Sequence, residues 1–294
     1  MAEKIPVSVV IVTYNSAEVI MKALNSVDSR AEIIVVDNAS TDGTVECVRD
    51  AGFHLITNRQ NTGFGPACNQ GAALTSRPFI LFLNPDTQMR TDTIDHLIAA
   101  AAKRPEYAAF NPRILFQDGT QFFRRQSCIM PTVARKVRPT RPTKDQDLYM
   151  LSGAALFCRR SDFEAIGGFD ENIFMYAEDD DLTVRLLQRG KRLGHVHDAI
   201  VEHVGGGSTA YSRRLQTFKS YHRMRSHRYV TAKHGVIFRR RYQIAFCSWR
   251  LFAGWILFNK NERIKYYGYL QALVESNPIT FSDDQAPAGH PPIH

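Results

Sequence analysis

Residues 7–15 read V-S-V-V-I-V-T-Y-N, and this stretch decides the fold. A short run of β-branched residues is how a strand buried on both faces of a parallel sheet reads. It delivers Thr13, Tyr14 and Asn15 to its end. A second apolar run, residues 33–36, delivers Asp37 and Asn38, and a third, residues 79–83, leads into Asn84, Pro85 and Asp86. In an open α/β sheet ligands sit in the crevice beyond the carboxyl ends of the strands. Three strand ends loaded with polar residues therefore predict one site.

Working outward, residues 7 to about 111 alternate strands with helical patterns. Helices are predicted at 17–27, 44–50, 66–74 and 93–102, and strands at 33–36, 54–57, 79–83 and 108–110. Such alternation predicts an α/β fold with a mainly parallel central sheet and helices on both faces. Gln117-Asp118-Gly119 between two apolar runs is a hairpin signal. From 126 to 147 the pattern stops, and Pro131, Pro139 and Pro142 among Arg135, Lys136, Arg138, Arg141 and Lys144 read as a mobile loop, a possible lid. A strand is expected at 150–158, a short helix from Phe163, a helix at 182–188, and strands at 192–197 and 200–203. The expected organisation is a catalytic domain at 1–205, a basic helical region at 206–280 and a frayed tail at 281–294.

The 294 residues are 44% hydrophobic, enough for a sizeable core. Five cysteines, an odd number with no C-x-x-C pair, argue against a zinc ribbon and a disulfide framework and predict a reducing cytoplasm. The N-terminal apolar run is too short for a secretory signal, which predicts no secretion.

Charge is unevenly spread. Between Gly206 and Glu275 stand 14 lysines and arginines against two acids, Glu262 and Glu275, whereas the rest holds 23 basic and 27 acidic residues. This asymmetry predicts an anionic partner surface. Phe246, Trp249, Phe252, Trp255 and Phe258 recur among apolar residues between Arg239-Arg240-Arg241 and Lys260, Arg263, Lys265. That pattern reads as an interfacial helix on an anionic membrane, with a core-packing helix as the alternative. The run is too short to span a bilayer and contains Arg250. No nucleic-acid recognition module is evident, so nucleic acid is not expected as a partner.

Two nucleotide motifs fail. Gly63-x-Gly65 has Cys68 where a dinucleotide fingerprint needs its third glycine, and no G-x-x-x-x-G-K-[ST] is present. A pyrophosphorylase-like nucleotidyltransferase would carry a glycine-rich basic loop after the first strand, where this chain has T-Y-N-S. His195-x-His197 places two imidazoles on one face of a strand, but without a nearby cysteine zinc is not expected.

V-S-V-V-I-V-T-Y-N-S, I-I-V-V-D-N-A-S-T-D-G-T, N-T-G-F-G-P-A-C-N-Q-G, L-F-L-N-P-D-T and G-G-F-D-E-N-I-F-M-Y-A-E-D-D-D-L-T-V-R, in this order, resemble the inverting family 2 glycosyltransferases of the GT-A fold. N-P-D in place of D-x-D, and the Y-x-E-D-x-D-L stretch, look like their bacterial rhamnosyltransferase branch. The resemblance spans about residues 6–234. It implies a dTDP- or UDP-linked sugar donor, best matched by dTDP-rhamnose, and a glycan or lipid-linked glycan acceptor in bacterial surface polysaccharide synthesis. It also implies work on the inner face of the cytoplasmic membrane. The alternatives are a UDP-hexose donor, or a non-catalytic nucleotide-sugar-binding protein.

The resemblance assigns residues too. Asp37 reads the pyrimidine imide, with Thr13, Tyr14, Asn15 and Ser40 beside it, and Asn61 and Gly65 belong to a donor-binding loop. The other reading of Thr13 and Asn15 is helix capping, and that of Asn61 is a turn before a helix. Asp86 is the implied ligand of Mg²⁺ or Mn²⁺, and His203, before the glycines at 205–207, is a candidate second ligand. Within Glu178-Asp179-Asp180-Asp181, like charges raise one another's pKa, as suits a general base, or the cluster complements a helix dipole. The resemblance makes Asp179 the base and Asp181 a helix cap. Arg124 or Arg125 would assist the leaving group.

Overall fold

The computed structural model describes residues 4–123, 127–130, 140–203 and 212–275. Arg124, Arg125, Arg135, Lys136, Arg138, the glycines at 205–207 and the 281–294 tail lie outside them. The chain divides into two compact units, Met1–Asp170 with Asp179–Thr209, and Glu171–Glu178 with Ala210–His294.

The first unit is built on a nine-stranded sheet with the order β3 (His54–Thr57), β2 (Glu32–Asp37), β1 (Val7–Thr13), β4 (Phe79–Leu83), β8 (Ala155–Arg159), β6 (Tyr107–Phe116), β9 (Arg192–His203) and β5 (Thr87–Met89), and β7 (Gln146–Leu148) pairs with β9. Strands β1 (Val7–Thr13), β2 (Glu32–Asp37), β3 (His54–Thr57) and β4 (Phe79–Leu83) are parallel neighbours, linked by α1 (Ile20–Ser26), α2 (Thr44–Asp50) and α3 (Phe64–Ala73). Every residue of β1 is buried, because helices cover both faces of the sheet. Helix α3 comes so close to β1 that a Cβ on Gly71 would lie 2.4 Å from Val10 Cγ1.

Beyond β4 the sheet is mixed. After β5 (Thr87–Met89) and α4 (Thr93–Lys103), β6 (Tyr107–Phe116) pairs with β8 (Ala155–Arg159), which runs antiparallel between β4 and β6. Two expected strands at 192–197 and 200–203 are one strand, β9 (Arg192–His203), irregular in its middle where Pro112↔Val196 is followed by Arg113↔Ile200. A proline cannot donate to the ladder, and such a site tolerates it. The expected strand at 150–158 is shorter, because residues 150–154 make irregular contacts around the site and only Ala155–Arg159 pair. Part of the expected loop at 126–147 is strand, since β7 (Gln146–Leu148) pairs antiparallel with β9. The Asp118-Gly119 turn forms, with Phe116 N donating to Thr120 O, but its second arm makes one bridge, Leu115↔Gln121. Helices α5 (Arg160–Ala165) and α6 (Glu178–Gln188) complete the layer.

In the second unit, α7 (Arg213–Lys233), α8 (Arg240–Ile256) and α9 (Lys260–Val274) pack around Tyr221, Met224, Cys247, Tyr266, Ala272 and Leu273. Gly268 lets α9 approach α7, since a Cβ there would lie 2.6 Å from Thr217 O. Ser212 and Asn259 cap α7 and α9 by accepting from Leu215 N and Glu262 N. The Glu171–Glu178 segment joins this unit through Ser226 Oγ, which donates to Met175 O at 2.7 Å, and through Phe174, whose ring contacts Phe218 and His222.

Candidate active site

The parallel register sets Thr13 beside Asp37 and Asp37 beside Thr57, so the first two strand ends are level. Asp37 is buried, and its carboxylate is held from three directions. Oδ1 accepts from Thr13 Oγ1 at 2.8 Å and Ser40 Oγ at 2.5 Å, while Oδ2 accepts from Ser40 N at 2.9 Å. A carboxylate has about four lone-pair sites, so one on Oδ2 remains for a ligand N–H. Ala39 adopts φ 65°, a left-handed conformation that is costly for alanine and lets Ser40 turn back onto Asp37. Asn15, at φ 50°, donates its N–H to Ser40 Oγ and accepts from Thr41 N, both at 2.8 Å. Tyr14 is half-buried, and burial raises its phenol pKa. Thr13, Asn15, Asp37 and Ser40 thus form one hydrogen-bonded cluster, with Tyr14 adjoining in the chain.

Asp42, not singled out in the sequence, ties this cluster to α2. It accepts from Ala17 N, Thr44 N and Thr44 Oγ1, and these bonds outweigh burial, which acts the other way, to hold its carboxyl below the usual range. The D-G-T spacing before a helix was the available signal.

Asn61 and Gly65 are turned to local structure. Asn61 Oδ1 accepts from Gly63 N at 2.9 Å, and Asn38 Nδ2 donates to Gly63 O. Gly65 is buried at the start of α3, where a Cβ would meet Phe169 Cβ at 3.0 Å.

Asp86 follows β4, and Thr87, its neighbour, pairs with His203 across β5 and β9. The result is a carboxylate and an imidazole face to face, Asp86 Oδ1 and His203 Nε2 being 3.6 Å apart and both largely buried. This distance exceeds a hydrogen bond and leaves both groups within reach of one ion. Among the described residues no group of three or more His, Cys, Asp or Glu is arranged to hold a metal. The pair fits a divalent cation whose remaining ligands are substrate phosphates and water, the habit of Mg²⁺. Asn84 contributes through its backbone, its N–H donating to Ala154 O at 3.0 Å.

That bond carries the site toward the acidic cluster. Ala154 follows Gly153, whose N–H donates to Asp179 Oδ2 at 3.0 Å. Just before the cluster the chain passes through left-handed conformations at Tyr176 (φ 67°) and Ala177 (φ 66°), which are uncommon for such residues. Helix α6 begins at Glu178 and not at 182, so the acids form its first turn, where the helix dipole favours negative charge. Asp181 lies inside the helix and is no cap. It is fully buried against Arg185, whose Nε donates at 2.7 Å while Nη1 reaches Ile166 O. Asp180 accepts from Ser127 Oγ at 2.7 Å. Asp179 accepts the backbone N–H groups of Gly153 and Asp180.

A pocket beside Ser152 has no counterpart in the sequence expectations. It is lined by Asn111, Met150, Ser152, His195 and the Phe122–Phe123 pair among others. Asn111 braces it, donating Nδ2 to Ser152 O and Ala155 O and accepting from Ser152 N. Burial, with His197 adding to it, pushes the His195 imidazole down to about 4. Arg113 Nη1 lies 2.9 Å from His197 Nε2. A guanidinium only donates, so that nitrogen of His197 accepts.

Comparison with known proteins bears on the family and the fold. Residues 8–167 match the model of the family described as Glycosyl transferase family 2. An N-acetylglucosaminyl-diphospho-decaprenol L-rhamnosyltransferase of Mycobacterium tuberculosis is 30% identical over 237 residues, covering 68% of this chain and 76% of that protein. The rhamnosyltransferase WbbL of Escherichia coli K12 is 31% identical over 215 residues, covering 65% and 80%. The crystal structure of GalNAc-T7 with UDP, GalNAc and Mn²⁺ superposes with a TM-score of 0.56 at 18% identity, over 74% of this chain and 47% of that one. This last likeness concerns the fold.

Proposed function

Since the chain belongs to glycosyl transferase family 2, we propose that it moves L-rhamnose from dTDP-rhamnose to a hydroxyl of a glycan or lipid-linked glycan, with inversion, in bacterial surface polysaccharide synthesis. What supports this reading is that three groups stand at the carboxyl ends of the parallel strands or are tied to them. These are the Asp37 cluster, the facing Asp86 and His203, and Asp179, linked to the Asn84 turn by the Gly153 and Ala154 backbone. The rhamnosyltransferases among the relatives support the choice of sugar.

In the reaction the Asp179 carboxylate takes the proton of the acceptor hydroxyl as its oxygen attacks the anomeric carbon. The bond from that carbon to the diphosphate oxygen breaks, and its electron pair leaves with the nucleoside diphosphate on the opposite face. Backbone N–H bonds from Gly153 and Asp180 fix the direction of the base. Asp37 accepts the imide N–H of thymine or uracil, which orients the donor. A Mg²⁺ or Mn²⁺ held by Asp86 and His203 would supply charge neutralisation for the departing diphosphate.

The test is a panel of dTDP-rhamnose, UDP-glucose, UDP-galactose and UDP-N-acetylglucosamine, read by thermal shift and donor hydrolysis with and without Mn²⁺. Stabilisation and turnover greatest with dTDP-rhamnose are expected, and preference for a UDP-hexose overturns the sugar assignment. Asp37→Ala should weaken binding of dTDP and UDP in calorimetry. Equal affinity of the unaltered protein for ADP and UDP removes Asp37 as the base reader.

A further inference from the structure

Helix α8 has two unlike sides. Cys247 and Gly254 are buried, and Ile244, Phe246 and Leu251 pack inward with them against the second unit's core. Phe246, expected in the exposed aromatic stripe, is partly buried at its edge, its ring touching the core and those of Tyr242 and Trp249. On the opposite side Tyr242, Trp249, Phe252 and Ile256 follow one another at helical spacing, with Trp255 adjoining. Leu257 and Phe258 continue past the end of the helix.

These side chains lie in solvent. Trp249 is 60% exposed, Trp255 62% and Phe258 88%. Phe258 also adopts a left-handed φ of 50°, a conformation that costs energy and that its side chain does nothing to offset in water. Seven of the thirteen exposed large apolar residues among the described ones stand between Tyr242 and Phe258, which is not the ordinary scatter of a surface.

The charges around the patch have one sign. Arg239, Arg240 and Arg241 stand exposed at the start of α8, with no acid in its first turn. Cations there oppose the helix dipole. At the other end Lys260 is exposed, and Arg263 lies 4.4 Å over the Trp255 ring. Glu262, the acid between Arg239 and Lys265, is engaged by Arg250. No described helix is long and apolar enough to cross a membrane.

We propose that this face of α8, with the corner at Leu257 and Phe258, lies in the headgroup region of an anionic bilayer. The aromatic rings enter the interface, and Arg239, Arg241 and Lys260 meet lipid phosphates. An apolar face bounded by cations is what such a surface takes up. The assignment concerns the second unit alone and does not depend on the donor or the catalytic base.

Both tryptophans of the chain lie on this face, so intrinsic fluorescence reports on it and nothing else. The full chain is mixed with vesicles of phosphatidylglycerol or of phosphatidylcholine at low and high salt, then sedimented and read by emission. Binding to phosphatidylglycerol, a shift to shorter wavelength, quenching by brominated acyl chains and release by salt are expected. Phe252→Ser and Phe258→Ser should each weaken binding by about tenfold. Lys260→Glu should weaken it by more than the roughly fivefold that one lost cation costs. Circular dichroism checks that the variants fold. Failure to sediment with phosphatidylglycerol at low salt overturns the proposal. Binding with unmoved tryptophan emission does too, as it places the contact elsewhere. Lipid-independent self-association abolished by Phe258→Ser assigns the face to a second copy and equally overturns it. Calorimetry with dTDP on the same preparation separates failure here from failure of the transferase reading.

Discussion

Asp179→Asn and Asp181→Asn should have opposite phenotypes although the residues are two positions apart. Asp181 is fully buried, and Arg185, 16% exposed, reaches it with Nε at 2.7 Å. Removing one partner of a buried pair costs about 3–5 kcal/mol, because the other charge stays buried without compensation. Asparagine keeps one oxygen that can accept from Nε, which sets the expected loss at the lower end, about 3 kcal/mol. For a unit of this size each kcal/mol lowers the melting temperature by roughly 2–4 °C, so a fall of about 6–12 °C follows. Asp179→Asn keeps an acceptor for one of the two N–H groups now bonded to its carboxylate, a loss of about 1 kcal/mol. It removes the base, however, and turnover should drop by about 10²–10⁴ with donor affinity nearly unchanged. Calorimetric melting, nucleotide titration and transfer assays on the two variants give the comparison. Near-normal turnover in Asp179→Asn, with loss in Asp180→Asn, means the wrong carboxylate was chosen. Melting of Asp181→Asn at the temperature of the unaltered protein refutes the packing argument.

Asp86→Ala should raise the Mn²⁺ concentration needed for half-maximal activity sharply. Full activity in excess EDTA, indifferent to this substitution, would remove the cation. His195 resists protonation in the folded state until about pH 4, whereas in the unfolded chain it titrates near its ordinary value of about 6.5. Below that value the unfolded state binds more protons, so stability is lost as pH falls, by about 2 kcal/mol between pH ~7 and ~5. Urea titrations at both pH values, repeated on His195→Gln, should show this increment vanish in the variant. Gly71→Ala should cost about 1–3 kcal/mol, since its Cβ would collide with Val10 on β1. An unchanged urea midpoint would show that α3 can move away.

The elements legible in the sequence were those whose residues declare their own environment. His54–Thr57, Phe79–Leu83 and Thr44–Asp50 have the bounds their patterns predict, because the run of residues suited to each element is bounded there by turn residues. Strands β5 and β7, three residues each, carry too little periodicity and exist by pairing with β9. The Asp37 cluster could be located from its strand ends, but its closure by Ser40 depends on the left-handed turn at Ala39, which no propensity announces. In the acidic run, residue type alone could not separate Asp181 from Asp179. The distinction rests on Arg185 one helical turn later, an i,i+4 pairing readable only once the helix is known to start at Glu178. The burial of His195 beside Asn111 was not legible, because it arises from strand pairing distant in sequence.

The irregularity in β9 has a consequence in parity. Between Val196 and Ile200, His197, Asp198 and Ala199 have no counterpart on β6, where Pro112 and Arg113 are adjacent. Side chains alternate faces along a strand, so an odd number of such residues exchanges the sides addressed by everything downstream. His203 meets Asp86 on the far side of that exchange. The number of residues separating His195 from His203 is therefore constrained as odd or even before it is constrained as a length, and single-residue insertions or deletions there are the changes this strand can least absorb.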